Sequence, residues 1–573
     1  QRALQRGLSM APERRHPDMG ALLRELQRAA RPRRLGLIVA TGGALALLAG
    51  ALVVARREGP PSCEAEGAAA LESAWNRATG DHLEAAFARS KRTYGAETGR
   101  KVRAALDAYT TAWSAERRSM CKVPAEDPLR SARMQCSSEQ LALVSSLTKA
   151  LREPDEETVD RAVSAVSRLP APQECQQPED RILHVPLPAA PELREPVAGI
   201  VAELTESSTL QYLGKRAEVL RRVAALRERV AALDYPPLTA RYSFAVYGAH
   251  MSAGQVAEAT SALEITLRAA AQGRRQALWI GALSEYAYSL AAAGYTGKAD
   301  AFIPVLEAAS GWVAPGSESR QGLLRSTMSL HERGWRPAEV VKVHAQLERE
   351  TSGQWDRSRP HLLRHEARVA VALRDLGRIA EATRLIERLI AEGEAALGAD
   401  HPDVALTYLD ASWIAASAWK IDSALRSARR AEQILRNVAP PSSHLTDVLE
   451  AEGVALYLGA DYEAAEPIHA KVAAERAEFH GSKLSMIGLS WANQGDTRLA
   501  LGDLKGAELL IQRAVAHFDA TLPAGHTLRC AALDVQGSVA SRRGDLPAAR
   551  AALEKSLALR PLSEPSGRAA SLE

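Results

Sequence analysis

Apolar and small residues recur along most of this chain at helical spacing, while β-type alternation is scarce, so the pattern predicts an all-α fold. One stretch departs from the amphipathic rhythm. Residues 35–55, LGLIVATGGALALLAGALVVA, carry no charge over 21 positions. At about 1.5 Å rise per residue, a helix of that length reaches roughly 30 Å, the thickness of a bilayer's hydrocarbon core. Its four glycines are ordinary in a membrane helix, where neighbouring segments can pack against them. A cleaved signal would place its apolar core nearer the start, with a small-residue cut site in place of Arg56-Arg57. Arg24, Arg28, Arg31, Arg33 and Arg34 precede the span, and Arg56 and Arg57 follow it. The positive-inside rule then puts residues 1 to about 34 in the cytoplasm and everything after Arg57 across the membrane.

Beyond the span a periodic signal takes over. Gly214, Gly254, Gly294, Gly334, Gly377, Gly459, Gly502 and Gly544 are separated by 40, 40, 40, 43, 82, 43 and 42 residues. The long gap divides at Trp419-Lys420, 42 residues after Gly377. Five residues past most of these points stands Ala: Ala259, Ala299, Ala382, Ala424, Ala464, Ala507 and Ala549. Gly closing a first helix can take the left-handed conformation, and a small residue early in a second helix permits close approach. Leu373, Leu376, Leu385 and Leu389 are the apolar residues expected to fill the space between units.

This pattern resembles the tetratricopeptide repeat in its longer form, with a period near 42. The run from Leu397 through Gly398, His401 and Pro402 to Asp403 is similar to that form's connection between units. The resemblance covers roughly 200–560, about nine units, and implies an α-solenoid whose concave wall binds an extended peptide or a protein. On the first helices of the units, Tyr242, Tyr247, Tyr286, Tyr288, Arg368, Tyr408, Trp413, Asn493 and Arg498 are candidates for that wall, or equally for core filling.

Residues 1–27 resemble the end of a protein-kinase C-lobe. Pro12, Arg15, Pro17, Met19 and Leu22-Leu23 match its order of turn and apolar helix, and Leu22, Leu23 and Leu26 are expected on one face. The resemblance implies that Arg15 is the C-lobe arginine that pairs with the glutamate of the activation segment. The Gly-rich loop, the ATP-contacting Lys, H-R-D and D-F-G are not in this sequence, so it carries no catalytic motif of its own. ATP and Mg²⁺ are cofactors only of the implied longer kinase.

Composition adds bounds. Charged residues are 25% and the formal net charge is +3, with no basic run interleaved with aromatics, so nucleic-acid binding has no support. Of five cysteines, Cys63, Cys121, Cys136 and Cys175 cluster just past the span, none in a C-x-x-C pair, which argues against zinc. Antiparallel helices, 99–119 after Cys63 and 136–152 with 158–169, would bring Cys63 to Cys121 and Cys136 to Cys175 in an oxidising compartment. Cys530 reads as a small core residue. His361 and His365 share a helical face but lack a third ligand, so no metal site is expected; His401 before Pro402 is explained as a helix start. Gly294–Lys298 only echoes a phosphate loop and falls in a repeat turn.

The expected organisation is therefore a kinase C-lobe remnant (1–27), a basic juxtamembrane segment with the span (28–57), and a helical cysteine-bearing region (58–180). A Pro-rich linker (181–199), the repeat array (200–560) and a flexible tail (561–573) follow. The expected function is the sensing or scaffolding part of a single-pass bacterial Ser/Thr kinase in the inner membrane, with its repeats periplasmic or extracellular. Its partners are a protein or peptide ligand and the membrane, with a homodimer left open. The alternatives are a membrane-tethered assembly scaffold without kinase ancestry, and an array on the cytoplasmic side.

Overall fold

The computed structural model describes residues 17–29, 62–124, 126–178, 181–293, 295–351, 360–437, 443–480, 485–522 and 527–559. Every regular element among them is helical. Arg15, the apolar stretch 35–55 and Gly294 lie outside the described residues. Among the described residues no helix is long and apolar enough to cross a membrane.

The chain forms two compact units, 1–62 and 63–573. In the first, α1 (Met19–Ala29) starts where the Asp18 carboxylate accepts the Ala21 N–H at 2.7 Å. Leu22 and Leu26 are half-buried but Leu23 is 51% exposed, so the three leucines do not share one covered face.

The second unit opens with α2 (Cys63–Ala74), α3 (Arg77–Ala88), α4 (Gly95–Cys121), α5 (Pro128–Ala150) and α6 (Glu156–Ser167), then a 3₁₀ turn over Pro172–Gln176. Asn76, Asp127 and Asp155 each accept a backbone N–H from the first turn of the helix they precede. Cys63 is bonded to Cys121 (Cα–Cα 5.7 Å) and Cys136 to Cys175 (5.5 Å). Cys136 lies inside α5 instead of opening it, because Asp127 and Pro128 start that helix earlier than the sequence pattern placed it.

Nine antiparallel helix pairs follow among the described residues. Their first (A) helices are α7 (Pro191–Tyr212), α9 (Pro236–Ser252), α11 (Gln276–Ala292), α14 (Glu318–Arg333) and α16 (Pro360–Asp375). The series continues with α18 (Pro402–Ser417), α20 (Ser443–Leu458), α22 (Ser485–Ala500) and α24 (Thr527–Arg542). The second (B) helices are α8 (Arg216–Leu233), α10 (Val256–Gln272), the broken pair α12 (Thr296–Asp300) and α13 (Ile303–Ser310), and α15 (Pro337–Glu350). After them come α17 (Ile379–Leu397), α19 (Ile421–Arg436), α21 (Tyr462–His480), α23 (Leu504–Thr521) and α25 (Leu546–Leu559). Each A helix packs on the next A helix, whereas successive B helices make no comparable contact. The A helices therefore form the inner layer of a curved solenoid and the B helices its outer layer.

The turn inside each pair fixes the register. A left-handed residue occupies Gly214, Gly254, Trp335, Gly377, Trp419, Ala460, Gly502 and Gly544. From Trp335 onward these are 42, 42, 41, 42 and 42 residues apart, a more even series than the glycines give. Gly334 and Gly459, taken as turn residues from the sequence, sit one position early and leave the left-handed conformation to Trp335 and Ala460. Counting five onward reaches buried side chains each time: Val219, Ala259, Val340, Ala382, Ala424, Ala465, Ala507 and Ala549. At the seventh pair the buried small residue is thus Ala465, and Ala464 is only half-buried. Leu373 and Leu389 are buried as the pattern predicts, but Leu376 is 38% exposed at the turn.

The cysteine-bearing helices and the array share one apolar core. It runs from Trp75, Leu106 and Trp113 through Val159 and Leu169 to Leu324, Met328, Val340, Leu363, Val369, Leu389 and Ile414. Nor is 181–199 a free linker. Arg181, His184 and Val185 are buried, and α7 begins at Pro191 with Pro196 inside its first turns. Pro191 takes the first helical position, where an N–H would have no intrahelical acceptor, whereas Pro196 gives up one bond to the Glu192 carbonyl without stopping the helix.

Candidate functional site

The inner wall is the surface the sequence singles out, and its side chains prove to be engaged with one another. Arg241 of α9 donates to Ser208 Oγ of α7 at 3.0 Å. The Tyr247 hydroxyl donates to Glu285 of α11, and Arg333 of α14 donates to the Tyr288 hydroxyl at 2.9 Å with its guanidinium 4.7 Å from the ring centroid. Arg368 of α16 lies 3.4 Å from Glu332 of α14, and Arg364 donates to Asp410 of α18 at 2.8 Å. Asn493 and Ser490 of α22 donate to Glu450 of α20, the serine at 3.1 Å. Arg542 of α24 donates to the Leu499 carbonyl at 3.2 Å. Polar pairs thus stitch almost every A helix to its neighbour.

This ladder changes what the candidate wall residues are. Tyr247 is buried; burial, then the Glu285 carboxylate, push its phenol far above the usual tyrosine range. Burial likewise raises Glu285 against the opposing effect of the Tyr247 hydrogen bond. Tyr242 packs into the core of the first two pairs, and Tyr286 meets Phe302 edge-on at 5.7 Å. Tyr408 donates to Glu394 at 2.8 Å, Trp413 packs with Leu409 and Ile434, and Arg498 bonds Glu466 at 3.0 Å. Arg241 is fully enclosed and burial lowers its pKa to about 10, so it remains a cation at neutral pH.

A second constellation joins the cysteine-bearing helices to the array. Arg92, nearly fully buried, clamps the Asp160 carboxylate through Nε at 2.8 Å and Nη2 at 2.7 Å, and donates through Nη1 to the Asn437 carbonyl at 3.1 Å. Tyr94 donates its hydroxyl to the same carboxylate, and His401 Nε2 reaches the Asp160 carbonyl at 2.8 Å. Lys101 caps the end of α17 through the Ala395 carbonyl at 2.6 Å. His401 is thereby a helix-start and docking residue: its Nδ1 accepts the Asp403 N–H at 3.1 Å, and Pro402 takes the first helical position.

His365 sits beside this junction. Burial and the nearby Arg325, Arg168 and Arg364 cations hold its pKa at about 4, with Glu366 opposing them. A neutral imidazole walled by three guanidiniums is a poor place for another cation, and no group of three His, Cys, Asp or Glu side chains suited to a metal occurs among the described residues. Cys530 is buried, its carbonyl accepting from Ser556. Sequence reasoning missed Gly453 and Gly495. Their 42-residue spacing was visible, and a Cβ on either would come within 3.0 Å of His469 or Ile511 on the paired B helix.

Known proteins overlap this chain only loosely. No family profile matches the chain, and no curated protein does. Solved structures do match. A Podosopora anserina protein with nearly identical TPR-like repeats of the kinesin-light-chain kind is 19% identical, covers 35% of this chain and 95% of its own, and has a TM-score of 0.30. The apo form of RapI is 11% identical over 74% of this chain and 97% of that one, with a TM-score of 0.34. Cut9-Hcn1 of the APC/C is 13% identical over 78% and 81%, with a TM-score of 0.36. Overlaps this loose carry no argument by themselves. The tetratricopeptide-like character rests on the chain's own nine helix pairs and their turn register.

Proposed function

We propose that this chain is a protein-binding scaffold built on a tetratricopeptide-like solenoid, and that it is the exported, sensing portion of a single-pass bacterial Ser/Thr kinase. The observation that carries the first half is the stacked array itself, whose inner layer is formed by consecutive A helices. Such a surface presents many shallow contacts along one curved wall, a geometry suited to an extended peptide or a partner helix. The kinase half is supported by the residues around Arg15 and the apolar stretch 35–55 with its arginine flanks, and ATP and Mg²⁺ would serve only that missing catalytic part. The exported location is supported by the two cysteine pairs, since such bonds persist in oxidising compartments.

A photo-crosslinking residue at Trp413 or Asn493 on the inner A helices, compared with Gln512 on an outer B helix, tests the binding half. Adducts are expected from the inner positions only, and equal labelling from Gln512 removes the inner wall as the binding surface. Reading the frame upstream of Gln1 tests the kinase half: H-R-D and D-F-G are expected there, and their absence leaves the second reading, a tethered assembly scaffold. Thiol labelling of intact cells tests the location, because rapid labelling of Cys63, Cys121, Cys136 and Cys175 without reductant would place the array in the cytoplasm.

A further inference from the structure

The A–B turns form one edge of the solenoid, and three of them carry a large exposed aromatic side chain with a cation next to it. Tyr295 is 55% exposed, Trp335 57% and Trp419 72%. Lys298 lies with its Nζ 4.9 Å from the Tyr295 ring centroid, Arg333 stands two residues before Trp335, and Lys420 follows Trp419. Lys298 and Lys420 are in no ion pair among the described residues and Arg333 is held by the Tyr288 hydroxyl and ring, whereas Arg336 is paired with Asp300 and Arg378 with Glu381. The exposed Leu376 occupies the turn between Trp335 and Trp419.

Two features set this edge apart from ordinary surface. Trp335 and Trp419 hold φ of 53° and 57°, at the position where Gly stands in five other turns. A bulky side chain there works against the local backbone, which a glycine would relieve. Trp419 also lies at the opposite end of α18 from His401, although the turn of the first pair does meet the cysteine-bearing helices, where Lys215 pairs with Asp155. At the fifth and sixth pairs those helices meet the array at His401, at the Asn437 carbonyl and at the Glu394 and Ala395 carbonyls in the last turn of α17, at the opposite end of A helices 16 residues long.

We propose that the turn edge of the third, fourth and sixth pairs is an interfacial docking surface for an anionic lipid bilayer. Trp and Tyr rings favour the headgroup layer, where an apolar body and a polar tip are both accommodated, and Lys298 and Lys420 beside them complement anionic headgroups. The occupant is the membrane itself. From the functional reading this takes only the span 35–55, which brings the bilayer within reach.

The test uses the full chain reconstituted in phosphatidylcholine vesicles with and without phosphatidylglycerol, reading tryptophan quenching by lipids brominated near the headgroup. Quenching is expected to increase with phosphatidylglycerol and to drop severalfold in that increment for a Trp335→Gly/Trp419→Gly variant, which fits the existing turn conformation. A Lys298→Gln/Lys420→Gln variant is expected to lose most of the phosphatidylglycerol dependence. Unchanged quenching in both variants overturns the proposal, as does a fall in oligomer size in the tryptophan variant, which would make the edge a contact between copies. Failure of the span is separable: carbonate would then release the protein while the variant effects persist, leaving the edge standing. Carbonate-resistant protein without variant effects overturns the edge and leaves the span.

Discussion

The His401 ring joins segments 241 residues apart: Nε2 donates to the Asp160 carbonyl at 2.8 Å while Nδ1 accepts the Asp403 N–H. Accepting a backbone N–H at Nδ1 fixes the proton on Nε2, so one imidazole both caps α18 and holds α6 against it. Beside it, Asp160 also neutralises Arg92, whose side chain is almost wholly out of solvent. Asp160→Ala strands that guanidinium and is expected to cost about 3–5 kcal/mol. His401→Ala, which removes a cap and one tertiary hydrogen bond, is expected to cost about 1–3 kcal/mol. Urea midpoints at constant m-value check both, and a smaller loss for Asp160→Ala than for His401→Ala would refute this arrangement.

Trp419→Gly is expected to stabilise the protein in detergent solution. Removing the Cβ relieves the left-handed backbone by about 1 kcal/mol, and the exposed ring gives up little burial. The unfolded glycine chain gains some entropy, which offsets part of that gain. A lowered thermal midpoint would mean that the ring packs more firmly than its exposure indicates.

The register at the seventh pair can be checked by overpacking. Ala465→Leu places a large side chain at a fully buried position and is expected to cost about 1–3 kcal/mol. Ala464→Leu, one position earlier and half-buried, is expected to be mild. The reverse order would restore Gly459 as the turn residue.

Acidification should weaken the junction through His365. Its folded pKa of about 4 lies below the ordinary histidine value, so the unfolded chain binds the extra proton first as pH falls. The stability is intact above about 6.5 and is lost progressively down to about 4, by up to roughly 3 kcal/mol in total. Burial drives the effect first, Arg325, Arg168 and Arg364 add to it, and Glu366 opposes it. His365→Leu should flatten that part of a stability-against-pH curve, and an unaltered slope would exclude it as the source.

Each disulfide closes a long loop, with cysteines 58 and 39 positions apart. Replacing either pair by serine is expected to lower stability by about 2–4 kcal/mol, through release of unfolded-chain entropy. Calorimetry of each variant measures it, and an unshifted midpoint under non-reducing conditions would show that the bond is absent in the protein.

The helical period, the 42-residue repeat and the long apolar stretch could be read from residues alone, because each depends on spacing along the chain. Gly214, Gly377, Gly502 and Gly544 stand where a left-handed turn is required, so local backbone sterics wrote the repeat into the sequence. Where that local signal is degenerate, at Trp335, Trp419 and Ala460, only the packed hairpin fixes the register, since burial of the side chain five residues on decides it. The union of the cysteine-bearing helices with the fourth to sixth pairs was equally invisible in sequence. It depends on how far the array curves, a sum of small rotations between stacked pairs that brings Asp160 to His401. The inner wall shows the same division: sequence placed polar residues on the A helices, and tertiary packing turned them toward one another.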